Sequence, residues 1–167
     1  MRVTRILALS VGFFLCIVSE ANLGPRPDFT RNRFTDLLRE PSPPPNAAQQ
    51  YFNAIRAFQA AQANNAPNTE QLRTRFGAQA NALFQDVVRN DQALTNYFRR
   101  VHQIHASLSL GISGNASRVQ FNILVPDPDT QSGSRSLGTV TIHLEVDANE
   151  RARVDRVEAR LEALPEE

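Results

Sequence analysis

After His102 the apolar residues stop recurring every three or four positions and begin to alternate. "HASLSLGIS" (105–113) puts Ala106, Leu108, Leu110 and Ile112 on one side, and His105, Ser107, Ser109 and Gly111 on the other. "SRVQFNILV" (117–125) sets Val119, Phe121, Ile123 and Val125 against Gln120 and Asn122. "LGTVTIHLEV" (137–146) sets Val140, Ile142, Leu144 and Val146 against Thr141, His143 and Glu145. Alternation with period two describes a strand with one face buried and one face wet. The joining stretches "SGN", "PDPDTQSGSRS" and "DANE" are turn-formers, so the three runs predict an antiparallel meander with a single apolar face.

The next segment, "RVDRVEARLE" (153–162), has two periods at once. Val154, Val157 and Leu161 are spaced as on a helix, whereas Val157, Ala159 and Leu161 alternate with charges as on a strand. A short "DANE" turn favours pairing back onto the third run. One extra residue between Val154 and Val157 shifts the phase once and accounts for both spacings. The segment is therefore read as a fourth strand with a bulge, its charges forming a solvated or dimer-forming face.

Upstream the period is helical. A first helix is expected from Asn46, with Asn46 as cap and Gln49 completing a capping box, and with Tyr51, Phe52, Ile55 and Phe58 inward. "NNAP" (64–67) ends it. A second helix begins near Asn68 or Thr69 and buries Leu72, Phe76, Leu83, Val87 and Val88. Gly77 weakens it, so it reads as one helix, as two shorter pieces, or as a helix that gives way to a strand at "QDVV". A third follows the Asn90-Asp91 cap with Leu94, Phe98 and Val101 inward. Helices followed by four antiparallel strands make an α+β domain over 46–164, its N-terminal helices packed on one face of a curved sheet.

The chain's 167 residues begin with a basic start, Arg2 and Arg5, and an apolar run at 6–18, followed by Ser19-Glu20-Ala21. This is the pattern of a signal peptide over 1–21, and the run is short for a bilayer span. Residues 22–45 read as a proline-rich flexible leader. The expected product is secreted, with no membrane segment after cleavage. Cys16, the single cysteine, lies in the expected signal peptide, so the exported domain is held by its core without a disulfide. The full chain carries 18 basic and 17 acidic side chains. Loss of Arg2, Arg5 and Glu20 leaves 16 of each, which is not the electrostatic footprint of a nucleic-acid binder. The basic residues are all arginine. "NAS" (115–117) makes Asn115 a glycosylation acceptor in a eukaryotic host.

"DQALTNYFRRVHQIHASLSL" and "LGTVTIHLEVDANERARVDRVEARLE" resemble the nuclear-transport-factor-two-like superfamily, which includes ketosteroid-isomerase-like and polyketide-cyclase-like domains. The resemblance covers about residues 47–164 and is one of pattern, without a signature motif. It implies a sheet wrapped as a cone around helices, a pocket at one end, and in many members a sheet-to-sheet dimer. Cystatin-like folds also lay a sheet over a helix, but this chain has more helices and lacks a Gln-x-Val-x-Gly loop.

Candidate chemistry is thin. His102 and His105 are three apart, but with no further ligand pattern no metal site is assigned. "DPDTQSG" (127–133) echoes a calcium loop, with its glycine displaced and no closing glutamate, and reads as a long hairpin loop. Arg99-Arg100 is a dibasic pair that a helix would protect. In a cone, Tyr51, Tyr97, His105, His143 and Glu145 are the candidate pocket residues, with His143 and Glu145 two apart and able to orient each other. No catalytic role is assigned, and no cofactor is implied. The expected function is a non-catalytic exported domain that binds a small apolar ligand or a protein partner, with a homodimer through the sheet as one form. The alternatives are a secreted isomerase, dehydratase or cyclase-like enzyme, and a carrier for a secreted N-terminal peptide.

Overall fold

Tyr51, Phe58, Phe76, Phe84, Phe98 and Phe121 are all less than 2% exposed, and they come from every helix and from the centre of the sheet. A computed structural model describes residues 7–8, 14–18 and 46–166. Three helices, α1 (Ala47–Ala63), α2 (Thr69–Asn90) and α3 (Gln92–Ile104), precede four long strands, β3 (Ser109–Gly114), β4 (Arg118–Pro126), β5 (Ser134–Val146) and β6 (Ala152–Leu161). Two short strands, β1 (Leu7–Ala8) and β2 (Phe14–Val18), lie within the segment expected to be processed, and β2 pairs on the free side of β3. All neighbours are antiparallel and sheet order follows chain order. This is the expected α+β layout, with helices first and the antiparallel sheet after. The expected proline-rich leader and the expected cleavage site lie outside the described residues.

The inward residues are those that the periodicities select. Leu108, Leu110 and Ile112, then Val119, Phe121, Ile123 and Val125, then Val140, Ile142 and Leu144 join one core with the helices. Phe84 of α2 meets Phe98 of α3 edge-on at 5.4 Å and Phe121 of β4 at 4.9 Å. Phe76 of α2 stacks on Phe58 of α1 at 6.1 Å and tilts against Tyr51 at 5.7 Å. Each such ring removed from water contributes about 1.5–3 kcal/mol before its ordering cost.

Several local expectations change. Asn46 does not cap α1 with its side chain, because its backbone is left-handed (φ 62°). Gln49 leaves the helix terminus for the β5–β6 turn: its Oε1 accepts from the Ala152 N–H at 2.7 Å and its Nε2 donates to the Glu150 carbonyl at 3.1 Å. α2 runs unbroken through Gly77, and "QDVV" stays helical because Val87 and Val88 are both buried on it. β3 starts at Ser109 rather than His105, and Ala106 is exposed. By contrast, Asp91 caps α3 as expected, accepting from the Leu94 N–H at 3.0 Å.

The tail is a strand. Its register moves from His143↔Arg156 to Leu144↔Val154, so Asp155 is the extra residue. Val154 and Val157 both pack on the core. A second irregularity lies between β4 and β5: Ile123 pairs with Gly138 while Leu124 pairs with Ser136. Gly138 has φ 122°, and a Cβ there would stand 2.0 Å from the Arg160 carbonyl oxygen. Only glycine lets β6 approach at this point. Gly138→Ala should therefore cost at least about 2 kcal/mol in urea unfolding. An unchanged midpoint would show that the β5–β6 approach is looser than described.

Candidate functional site

The sheet has two unlike faces. One is apolar and carries the helices. On the other, backbone register sets polar residues in rows across the strands. Ser113, Gln120, Thr141 and Glu158 form one row, and Gly111, Asn122, Thr139 and Arg160 the next. Arg118, His143 and Arg156 form a third, and Glu145 stands opposite Arg153 at its end. The centre of this face is thus uncharged and hydrogen-bonding, and the charges sit around it. Ser113, Gln120, Asn122 and Thr139 are half-buried by their own neighbours, and Thr141 is buried.

Several charges on this face have partners. Glu145 accepts from Arg153 through Nε at 2.8 Å and Nη2 at 2.6 Å. Arg156 reaches Glu158 at 3.2 Å. His143 Nε2 lies 3.5 Å from the same Glu158 carboxylate. That Nε2 is buried and makes no hydrogen bond, so Glu158 is a near neighbour rather than a hydrogen-bond partner. His143 and Glu145 do share a face, but they do not orient each other: each turns to a β6 residue instead. The Glu158 contact was hidden in the sequence because it depends on where the Asp155 bulge resets the register.

The other candidates lie elsewhere. Tyr51 is fully buried on α1, and its hydroxyl donates to the Asn115 carbonyl at 2.8 Å. A Cβ on Gly114 would stand 2.5 Å from that hydroxyl, so glycine is what admits the contact. Burial pushes the Tyr51 pKa well above the usual phenol value. Tyr97 on α3 donates to the Glu162 carbonyl at 2.8 Å and so pins the tail that follows β6. Its pKa is also raised, by burial first and the Glu162 charge second, with Arg135 opposing. Arg135 binds the Glu162 carboxylate at 3.0 Å, and Arg100 donates to the Pro165 carbonyl. His105 closes α3 with an extended backbone, its N–H bonded to the Val101 carbonyl. His102 sits in the last turn of α3, its Nδ1 buried without a partner.

These placements divide the five candidates among the β3–β4 turn, the tail, the end of α3 and the polar sheet face. Among the described residues no three His, Cys, Asp or Glu side chains are grouped to hold a metal ion, and no helix is long and apolar enough to cross a membrane. The loop at 127–133 is held by its own turn: Asp127 Oδ1 accepts from the Asp129 N–H at 3.0 Å, and Arg135 approaches its carboxylate at 3.9 Å. Asp147 plays the same part in the β5–β6 turn, where the Arg151 N–H is the main cause holding its carboxyl below the usual range. Comparison of the chain with protein-family models, curated proteins and solved structures finds no match.

Tyr51 makes the alkaline limb of stability readable. The chain has no lysine, and its one cysteine, Cys16, precedes the domain, so the two tyrosines are the only side chains of the domain that titrate near pH 10. A phenol whose pKa is raised by folding adds stability that is whole below its unfolded pKa and is lost as pH rises above it. The urea midpoint should therefore hold to about pH 10 and then fall, by at most about 1.4 kcal/mol per pH unit for each phenol. Tyr51→Phe should flatten most of that fall and cost about 1–3 kcal/mol at neutral pH by orphaning the Asn115 carbonyl. An equal alkaline slope in both proteins would assign the effect to Tyr97 or the backbone.

Proposed function

We propose that the chain is an exported, non-catalytic interaction domain, and that the polar face of its sheet receives a second copy of the chain. The observation that carries this reading is the division of the sheet. The helices cover the valine and isoleucine face, whereas the opposite face has a neutral hydrogen-bonding centre in Ser113, Gln120, Asn122, Thr139 and Thr141. Charges of both signs surround that centre, and a twofold arrangement can match them against each other. Polar centres of this kind suit a protein surface better than a small apolar ligand. The resemblance to nuclear-transport-factor-two-like domains, many of which pair sheet to sheet, supports the same choice.

Catalysis is the weaker reading because the candidate acid and base groups do not converge. His143 and Glu145 face outward and turn to β6, Tyr51 is consumed by a backbone carbonyl, and His105 ends a helix. An acid/base pair needs a common reacting atom within hydrogen-bond reach of both groups.

Sedimentation equilibrium of the secreted product tests the proposal. The wild type should be a dimer, and Gln120→Arg should raise its dissociation constant at least about tenfold, a loss of about 1.4 kcal/mol, with an unchanged circular dichroism spectrum. A wild-type monomer at every concentration, or a Gln120→Arg dimer as tight as the wild type, would sink it.

A further inference from the structure

The β3–β4 turn carries Asn115-Ala116-Ser117, the one Asn-x-Ser/Thr tripeptide in the 167 residues. Asn115 Oδ1 accepts three hydrogen bonds, from the Ser117 N–H, the Ser117 hydroxyl and the Arg118 N–H, each at 2.9 Å. These contacts are confined to residues 115–118, so they form locally, without the rest of the fold. They engage the side-chain oxygen, and among the described residues the nitrogen donates no hydrogen bond. Asn115 itself is half-exposed on the turn. Ser117 is exposed. The backbone of the turn is fixed from behind by the Tyr51 hydroxyl on the Asn115 carbonyl at 2.8 Å and by the Leu144 N–H on the Ser117 carbonyl at 2.8 Å.

We infer that Asn115 is an N-glycosylation site of the exported chain and that the sugar projects from the end of the sheet at the β3–β4 turn. The inference rests on the export part of the proposed function, because the transfer enzyme and its lipid-diphosphate oligosaccharide donor meet only chains that enter the secretory path. In the transfer the Asn115 amide nitrogen attacks the anomeric carbon of the oligosaccharide. A C–N bond forms, the C–O bond to the diphosphate breaks, the lipid diphosphate leaves with that electron pair, and the amide gives up one proton to a base. The three contacts on Oδ1 survive the reaction, since only Nδ2 is altered. The finished turn therefore keeps its geometry with the sugar attached. The polar centre at Gln120 and Asn122 lies on the sheet face rather than at this turn, so the modification leaves the docking face usable.

The test uses the full chain with its own N-terminus, expressed in cultured eukaryotic cells, and compares wild type, Ser117→Ala and Ser117→Thr in cells and in medium. Ser117→Ala removes the tripeptide but leaves both backbone N–H contacts on Asn115. Ser117→Thr keeps the tripeptide and the hydroxyl. Secreted wild type and Ser117→Thr should both drop in apparent mass on peptide N-glycosidase treatment, with Asn115 converted to Asp in the peptide map, and Ser117→Ala should not. Secreted wild type that is unshifted overturns the glycosylation alone. Chain retained in the cytosol without sugar overturns the glycosylation and the export reading together.

Discussion

Phe84 is where the two layers of this domain are joined. It is 1% exposed on α2 and touches Phe98 of α3 and Phe121 of β4 within one ring-to-ring distance of each. Two consequences follow from that packing. The helices are committed to the apolar side of the sheet, because Phe121 points there and its neighbours Gln120 and Asn122 point away. The polar side is then left to solvent or to another surface. A domain without a disulfide depends on such contacts, since nothing covalent offsets the loss of a large core ring, which in comparable cores costs about 3–5 kcal/mol.

The elements that were legible in the sequence are those set by simple periodicity. Val119, Phe121, Ile123 and Val125 alternate without interruption, and all four are buried. Leu94, Phe98 and Val101 repeat at helical spacing behind an aspartate cap, and α3 follows that pattern. Even the tail could be resolved, because two incompatible spacings in one short stretch are the mark of a bulge, and Asp155 is that residue. What was not legible depends on tertiary approach. Asn46 and Gln49 have the chemistry of a capping box, yet the β5–β6 turn competes for Gln49 and wins both of its ends. Gly138 looks like any glycine in a strand until Arg160 is brought against it.

The same limit applies to the candidate site. Tyr51 looked like a pocket donor because a phenol on an inward helix face can serve either purpose. The structure gives it a backbone carbonyl, and that contact requires Gly114, far along the chain from Tyr51, a pairing no local pattern encodes. His143 and Glu145 share a face, since strand alternation demands it. Their partners, Glu158 and Arg153, come from the neighbouring strand and follow only once register is known. Function is therefore better argued here from faces than from residues: an apolar face that closes the core, a polar face with its charges around the edge, and a turn that holds Asn115 through its side-chain oxygen.

The central claim is that the polar sheet face meets its twofold copy in solution. Residues 46–166 contain no cysteine, so one introduced thiol there reports one position. Gln120→Cys lies in the neutral centre of the face, and Ala57→Cys lies on the exposed side of α1 as a control. On mild oxidation of the secreted chain, Gln120→Cys should form a disulfide-linked dimer readily while Ala57→Cys stays largely monomeric. Equal cross-linking at the two positions, or none at Gln120→Cys, would contradict the account.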